Sequence, residues 1–291
     1  MHPFIMEIFS TSSEIRNWSR TSRLAGRRVG FVPTMGALHE GHASLLRLAA
    51  ELTDDVVLSI FVNPTQFGPN EDFNKYPRTW EADLETARQA GVKAVFAPGA
   101  EFYPKGYRTQ VTVPEWKSVL EGEIRPGHFD GVTSVVAKLF LSVEPDVAVF
   151  GQKDAQQALL IRRMVRDLDF GLRLVVAPTI REDDGLALSS RNRYLSESDR
   201  HRALAISRAI RASVSAWESG ERDPRRILSV GKDELAANPP DVVDYFTLLD
   251  PDSLEVLDTT ESVDKPAILV AAARYGATRL IDNAVLGTVW D

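Results

Sequence analysis

The segment RVGFVPTMGALHEGHASLLRLAAEL, residues 28–52, changes its hydrophobic period midway. Residues 28–33 form a short apolar run stopped by Pro33, which predicts a strand. From 41 to 52, Leu45, Leu46, Leu48, Ala49 and Leu52 recur at helical spacing. Strand, polar loop and helix in that order begin a βαβ unit, and the pattern continues along the chain. Residues 56–62 are β-branched and almost wholly apolar, as a strand buried on both faces should be. A helix is predicted over 79–90, with Thr79 as N-cap and Gly91 just past its end. Strand 92–97, helix 132–143, strand 146–150, helix 154–168 and strand 172–177 follow, with Gly171 just beyond the last of these helices. Such alternation predicts a parallel sheet covered on both faces. Right-handed crossovers make it an α/β, Rossmann-like, doubly wound domain.

After about residue 179 the pattern changes. Helices are predicted over 199–219 and 223–237, then strands over 242–249, 267–273 and 278–285. Arg274, Tyr275, Gly276 and Ala277 form a hairpin-like turn between the last two. This predicts a second, smaller α+β C-terminal domain. The expected division is 1–180 and 181–291, the second part acting as a lid. A length of 291 residues accommodates two cores.

Composition narrows the function. Basic residues number 34 against 41 acidic ones, a net charge of -7, which argues against a nucleic-acid surface. The chain has no cysteine, which removes disulfides, thiolate metal sites and cysteine nucleophiles. No apolar run approaches the ~20 residues of a membrane span, and the first residues lack signal-peptide character. A cytoplasmic protein is expected, with no membrane or nucleic-acid partner.

In an open α/β sheet ligands bind beyond the carboxyl ends of the strands, where strand order reverses. The loop after the first predicted strand carries Met35, Gly36, Ala37, Leu38, His39, Glu40, Gly41 and His42. The glycines admit close approach of backbone to a ligand, and His42 falls in a first helical turn, where the dipole attracts anions. Two imidazoles three residues apart can donate to one phosphate. A metal site is the alternative, but the spacing is not H-E-x-x-H and no third ligand stands nearby. After the next strand comes Gln66, at the base of a polar loop over 67–78 that reads equally as a lid or as a solvated turn. Gly151, Gln152, Lys153 and Asp154 open a later helix, with Gln157 near the face of Asp154. Lys153 can neutralise phosphate, and Asp154 can cap the helix or accept from a ribose. Ile180, Leu188, Ser189, Ser190 and Arg191 follow the last strand of this half. A serine–arginine run can clamp phosphates, and alone it is equally an ordinary loop. Arg125 and His128 lie in an insertion that also reads as a surface turn. Four polar clusters at four strand ends, without a Walker lysine or a G-x-G-x-x-G fingerprint, favour nucleotidyl transfer over phosphoryl transfer or dinucleotide binding.

These residues resemble a known family. His-Glu-Gly-His at 39–42 resembles the H-x-G-H signature of the nucleotidyltransferase superfamily. The stretches at 33–42, 61–68, 151–154 and 188–192, taken in order, resemble the pantoate–β-alanine ligase (pantothenate synthetase) family, with the likeness running from 28 to 195 and its continuation expected to the C-terminus. The resemblance implies ATP-dependent condensation of pantoate with β-alanine through pantoyl adenylate, with release of AMP and pyrophosphate. It also implies Mg2+ and a homodimer. By matched position it assigns Met35 through His42 to ATP, with His42 catalytic and His39 assisting. Gln66 and Gln157 hold pantoate, with Gln66 also near β-alanine. Gly151, Gln152, Lys153 and Asp154 meet ATP, with Lys153 on phosphate as a catalytic group and Asp154 on ribose. Ile180 touches adenine, and Leu188 through Arg191 clamp the phosphates. Arg125 matches a substrate position and Asp83 a metal position. The sequence departs from the family at Leu188, where methionine is usual, and at Gln152, where glutamate is usual. The competing expectations are another adenylyltransferase of the same superfamily and a non-catalytic nucleotide-binding module.

Overall fold

The computed structural model describes residues 6–68, 73–260 and 262–290. The chain divides into two compact units. The first runs through Gly151 and includes Gln156–Ala177; the second consists of Gln152–Ala155 and the chain from Pro178 onward.

The first unit holds strands β1 (Glu7–Phe9), β2 (Val29–Thr34), β3 (Asp55–Ile60), β4 (Ala94–Phe96), β5 (Val147–Gly151) and β6 (Arg173–Ala177). Its helices are α1 (Ser12–Leu24), α2 (Glu40–Leu52), α3 (Trp80–Gln89), the short α4 (Glu121–Ile124), α5 (His128–Val143) and α6 (Ala155–Asp167). All strand pairs are parallel, in the order β1-β4-β3-β2-β5-β6. Successive strand residues point to opposite faces. Phe31, Val57, Phe96 and Phe150 pack with Ile15 of α1 and Phe140 of α5. Their neighbours Val32, Leu58, Val95 and Val149 pack with Leu46 of α2 and Leu84 of α3. Fully burying one such side chain is worth about 1.5–3 kcal/mol, more than the ~1 kcal/mol range of strand propensity, so double-faced burial decides these strands. The chain winds outward from β2 through β3 to β4, then returns to β5 on the other side of β2. The order therefore reverses between β2 and β5, and both strands end in loops that carry candidate residues.

Several local features differ from the sequence expectations. Strand β1 and helix α1 were not anticipated. Helix α5 starts at His128 rather than at 132. Thr79 is the N-cap of α3, but its side chain does not cap. The Thr79 hydroxyl instead donates to Asp83 Oδ1 at 3.0 Å. Part of the expected lid loop, residues 69–72, lies outside the described residues. The remainder includes a 3-10 turn, Phe73–Lys75, with Phe67 edge-on to Phe73 and Tyr76.

The second unit holds α7 (Glu197–Glu218), α8 (Pro224–Ala237) and the antiparallel sheet β7 (Val242–Leu249), β8 (Ala267–Tyr275) and β9 (Thr278–Leu286). Ser196 caps α7 by accepting from the Asp199 amide. Asp223 caps α8, with Pro224 in its first turn. Ile206, Ile210 and Ile227 of the two helices pack on Phe246, Leu248 and Leu269 of the sheet. Gly276, at φ 57°, turns the chain from β8 into β9. The unit is α+β, and with the parallel domain it completes the expected fold class.

Candidate active site

The loop leaving β2 is held by two side chains, Thr34 and Asp83. Thr34 Oγ1 donates to the Ser59 carbonyl at 2.7 Å and accepts from the Gly36 amide at 3.2 Å. Gly36 and Ala37 both have left-handed φ, 83° and 53°. Ala37 carries a Cβ, so that conformation needs support from outside the turn. Asp83 provides it: Oδ2 accepts from the Ala37 amide at 3.0 Å and Oδ1 from the Leu38 amide at 2.8 Å. A Cβ on Gly36 would lie 2.9 Å from Asp83 Oδ2.

The turn delivers His39 to the N-cap of α2 and His42 to its first turn. His39 Nδ1 accepts from the Gly41 amide at 3.1 Å, and His42 Nδ1 accepts from the His39 amide at 3.3 Å. The ring centroids are 4.2 Å apart. A neutral imidazole that accepts at Nδ1 carries its proton on Nε2. Both rings are thereby set as Nε2–H donors at a helix N-terminus, where the dipole already favours negative charge.

Gln66 ends a 3-10 turn, Pro64–Gln66, beyond β3. Its Nε2 donates to Met35 Sδ at 3.0 Å, and its Oε1 accepts from Asn63 Nδ2 at 3.1 Å. Asn63 is buried, and its Oδ1 accepts from the Tyr103 hydroxyl at 2.9 Å. Burial pushes the Tyr103 hydroxyl above its ordinary value, although its bond with Thr65 opposes this. Tyr103 therefore stays a donor to Asn63. The Gln66 carbonyl is held by His128 Nδ1 at 2.9 Å, and His128 Nε2 lies 3.1 Å from Arg125 Nη1. A carbonyl only accepts, so His128 is protonated on Nδ1 and accepts from Arg125 at Nε2. Gly131 of α5 lets this turn approach: a Cβ there would run into the Thr65 carbonyl and the Gln66 nitrogen. Gly151 ends β5, and Gln157 is partly buried on α6.

The other candidates belong to the second unit. Residues Gln152–Asp154 form a 3-10 turn, with Lys153 Nζ 3.8 Å from Asp154 Oδ1. The Leu188 amide donates to the Ile180 carbonyl at 2.9 Å, and Arg181 forms a bridge with Ala187, so a tight excursion returns Leu188 beside Ile180. Ser189 Oγ accepts from the Arg191 amide at 3.3 Å and starts the 3-10 turn Ser190–Tyr194. Asn192 is fixed beneath it by bonds from Nδ2 to Glu182 Oε1 at 2.5 Å and the Ala187 carbonyl at 3.1 Å.

The first unit thus brings Met35 through His42, Gln66, Arg125 and Asp83 into one bonded constellation around the ends of β2 and β3. The second unit separately brings Ile180 together with Leu188 through Arg191. Asp83 does not suit a metal. Its carboxylate is 2% exposed, and both oxygens already accept bonds from Ala37, Leu38 and Thr79. Among the described residues, no group of three or more His, Cys, Asp or Glu side chains is placed to hold one. Sequence reasoning missed Asn63 and the positioning use of His128. Asn63 precedes Pro64, a pair common at turns, and nothing local in the sequence shows that its amide faces Gln66.

These features define an α/β enzyme whose helix-terminal imidazoles and oriented amides stand at the switch point of a parallel sheet. The pantoate–β-alanine ligase family model matches residues 7–285. A pantothenate synthetase from Acidobacterium capsulatum is 55% identical over 97% of this chain and 95% of its own length. One from Pelotomaculum thermopropionicum is 51% identical over 97% of this chain and 99% of its own. The crystal structure of pantothenate synthetase from Thermus thermophilus superposes with a TM-score of 0.87 at 45% identity, covering 96% of this chain and 99% of that one. The Francisella tularensis pantoate–β-alanine ligase, complexed with β-γ ATP and β-alanine, gives 0.75 at 32% identity over 98% and 99%. The chain belongs to the pantoate–β-alanine ligase family, carbon–nitrogen ligases that act in pantothenate biosynthesis.

Proposed function

We propose that the chain joins pantoate to β-alanine in two half-reactions at the expense of ATP. A pantoate carboxylate oxygen attacks the α-phosphorus, the bond to the β-phosphate bridge breaks, and pyrophosphate leaves. The amine of β-alanine then attacks the acyl carbon of pantoyl adenylate, the bond to AMP breaks, and nitrogen loses a proton as pantothenate forms. The observation that carries this reading is the imidazole cap of α2: His39 and His42 each accept a backbone amide at Nδ1, which leaves the proton of each neutral ring on Nε2. Donors fixed before the reaction offset the charge that builds as two anions approach.

In this reading Met35 through Gly41 line the nucleotide and His42 is the principal donor to the reacting phosphate. Gln66 and Gln157 bind pantoate, and Gln66 also meets β-alanine. Support comes from Gln66, whose amide is oriented by Asn63 and whose carbonyl is held by His128. Arg125 meets substrate. Gly151, Gln152, Lys153 and Asp154 serve ATP, with Lys153 on phosphate and Asp154 on ribose. Ile180 meets adenine, and Leu188, Ser189, Ser190 and Arg191 meet phosphates. Mg2+ enters as the counter-ion of ATP, a common use of this ion with phosphates, and Asp83 is not assigned as its ligand. The smaller unit is read as a lid, which would protect an intermediate prone to hydrolysis. The expectation of a homodimer rests on the family resemblance, and sedimentation velocity tests it; a cytoplasmic location is proposed from the sequence. No described helix is long and apolar enough to cross a membrane.

The deciding experiment is pyrophosphate release by purified protein supplied with MgATP and pantoate but no β-alanine. Pantoate-dependent release is expected. Its absence, with the full reaction active, removes the adenylate route.

A further inference from the structure

We propose that Asn283 is a positioning residue for Lys153, fixing the direction in which the lysine leaves the backbone. The proposal rests on the reading that Lys153 engages an ATP phosphate. The two Nδ2 hydrogens of Asn283 are shared between successive carbonyls, those of Gln152 and Lys153, each at 2.9 Å. Its Oδ1 accepts from Gln152 Nε2 at 3.2 Å. The other end of the Gln152 amide, Oε1, accepts from Trp290 Nε1 at 3.2 Å.

The two carbonyls belong to the peptide planes on either side of the Lys153 Cα. Peptide planes are rigid, and only φ and ψ relate one to the next. One amide group that holds both planes therefore sets both dihedrals of Lys153, and with them the bearing of its Cβ. Asn283 is itself well placed to act as a fixed point. It is 3% exposed on β9, opposite Val270 of β8. Its neighbour Asp282 is gripped by Arg181, with Nη1 and Nη2 at 2.7 and 2.9 Å from the two carboxylate oxygens. Asparagine is disfavoured in strands, and a buried amide needs partners to be tolerated. Nearly all the bonding capacity of this one goes to the turn that carries Lys153. Gln152 uses both ends of its own amide in the same geometry. Its donor end faces the Asn283 oxygen and its acceptor end faces the Trp290 N–H.

The test is a double-mutant cycle in the full-length chain, with Asn283→Ala, Lys153→Ala and the pair assayed over separate ATP and pantoate titrations. Asn283→Ala is expected to lower kcat by roughly 10–100-fold, the cost of a group displaced by about an ångström, while KM for pantoate stays within twofold. In the Lys153→Ala background the same substitution is expected to cost less than twofold, because residues acting as one unit do not add. Equal losses in both backgrounds, or no loss in the parent, overturn the positioning role while leaving Lys153 in place. Near-normal turnover of Lys153→Ala overturns the reading of the lysine and the proposal with it. If Asn283→Ala does not fold, Asn283→Ser, which keeps one donor, enters the same cycle with the same criteria.

Discussion

Asp83, in the first turn of α3, accepts the backbone amides of Ala37 and Leu38, so a buried carboxylate on one helix holds the turn that leads to His39 on another. Asn at this position keeps the shape but presents one oxygen and one NH2, leaving one amide opposite a donor. A buried donor without an acceptor costs ~1–3 kcal/mol. Asp83→Asn is therefore expected to lower kcat/KM by roughly 10–100-fold, through displacement of both imidazoles. The melting temperature should drop by roughly 2–12 °C, since each kcal/mol corresponds to about 2–4 °C in a domain of this size. Activity within twofold of the parent would refute this use of Asp83.

Gly131 is demanded by contact rather than by dihedral. Any Cβ on it meets the Thr65 carbonyl and the Gln66 nitrogen, so either α5 or the 3-10 turn must shift. Overpacking of this kind costs ~1–3 kcal/mol. Gly131→Ala is expected to raise KM for pantoate at least ~10-fold, because a displacement of Gln66 of about an ångström suffices for that. Gly171, which has nothing within 4 Å of a built Cβ, is the control. Equal effects of the two alanines on KM would show that the turn at Gln66 is not held by this contact.

Much of the fold was legible because burial wrote it locally. Strands β2 and β3 are apolar runs, and α2 shows helical spacing over one face. Strand β1 and helix α1 escaped for the opposite reason. β1 spans only Glu7–Phe9, and two of the three buried residues in α1 are serines, Ser19 and Ser22. A local sign was present, since Thr11 and Glu14 form a capping box that the sequence spells as Thr-x-x-Glu. The candidate residues His39, His42 and Gln66 were visible because they follow strand ends. Their supports were not, because support is a matter of distance in space. Asp83 lies 46 residues from Ala37, and Asn283 lies 130 residues from Lys153. No periodicity links such positions.

His42 has two uses that substitution can separate. Its Nδ1 caps the His39 amide, and its Nε2–H is the proposed donor to phosphate. Asparagine places an oxygen near the Nδ1 position and nothing near Nε2. His42→Asn is thus expected to hold the fold within ~1 kcal/mol, the scale of a lost cap. Turnover should fall by ~10²–10⁴-fold, as for loss of a proton-donating side chain in the transition state. Turnover near that of the parent would leave His42 with a structural role alone.

Tyr275 offers a test of stability in the second unit away from the candidate residues. It is 1% exposed, and its hydroxyl has no hydrogen-bond partner among the described residues. Burial pushes its pKa up from 10.0 to about 12, with Arg202 and Arg208 opposing and Asp241 reinforcing. A raised pKa means that the folded state prefers the neutral phenol. That contribution is complete below pH 10 and is lost as pH rises through about 12. Two units of pKa correspond to ~3 kcal/mol at most. Tyr275→Phe cannot ionise, so its denaturation midpoint should decline less than the parent's between those values. At neutral pH it should be at least as stable, because it removes a buried hydroxyl that makes no bond. Parallel decline of the two proteins between pH 10 and 12 would mean that Tyr275 ionises as readily folded as unfolded, and that its hydroxyl finds water or a donor in solution.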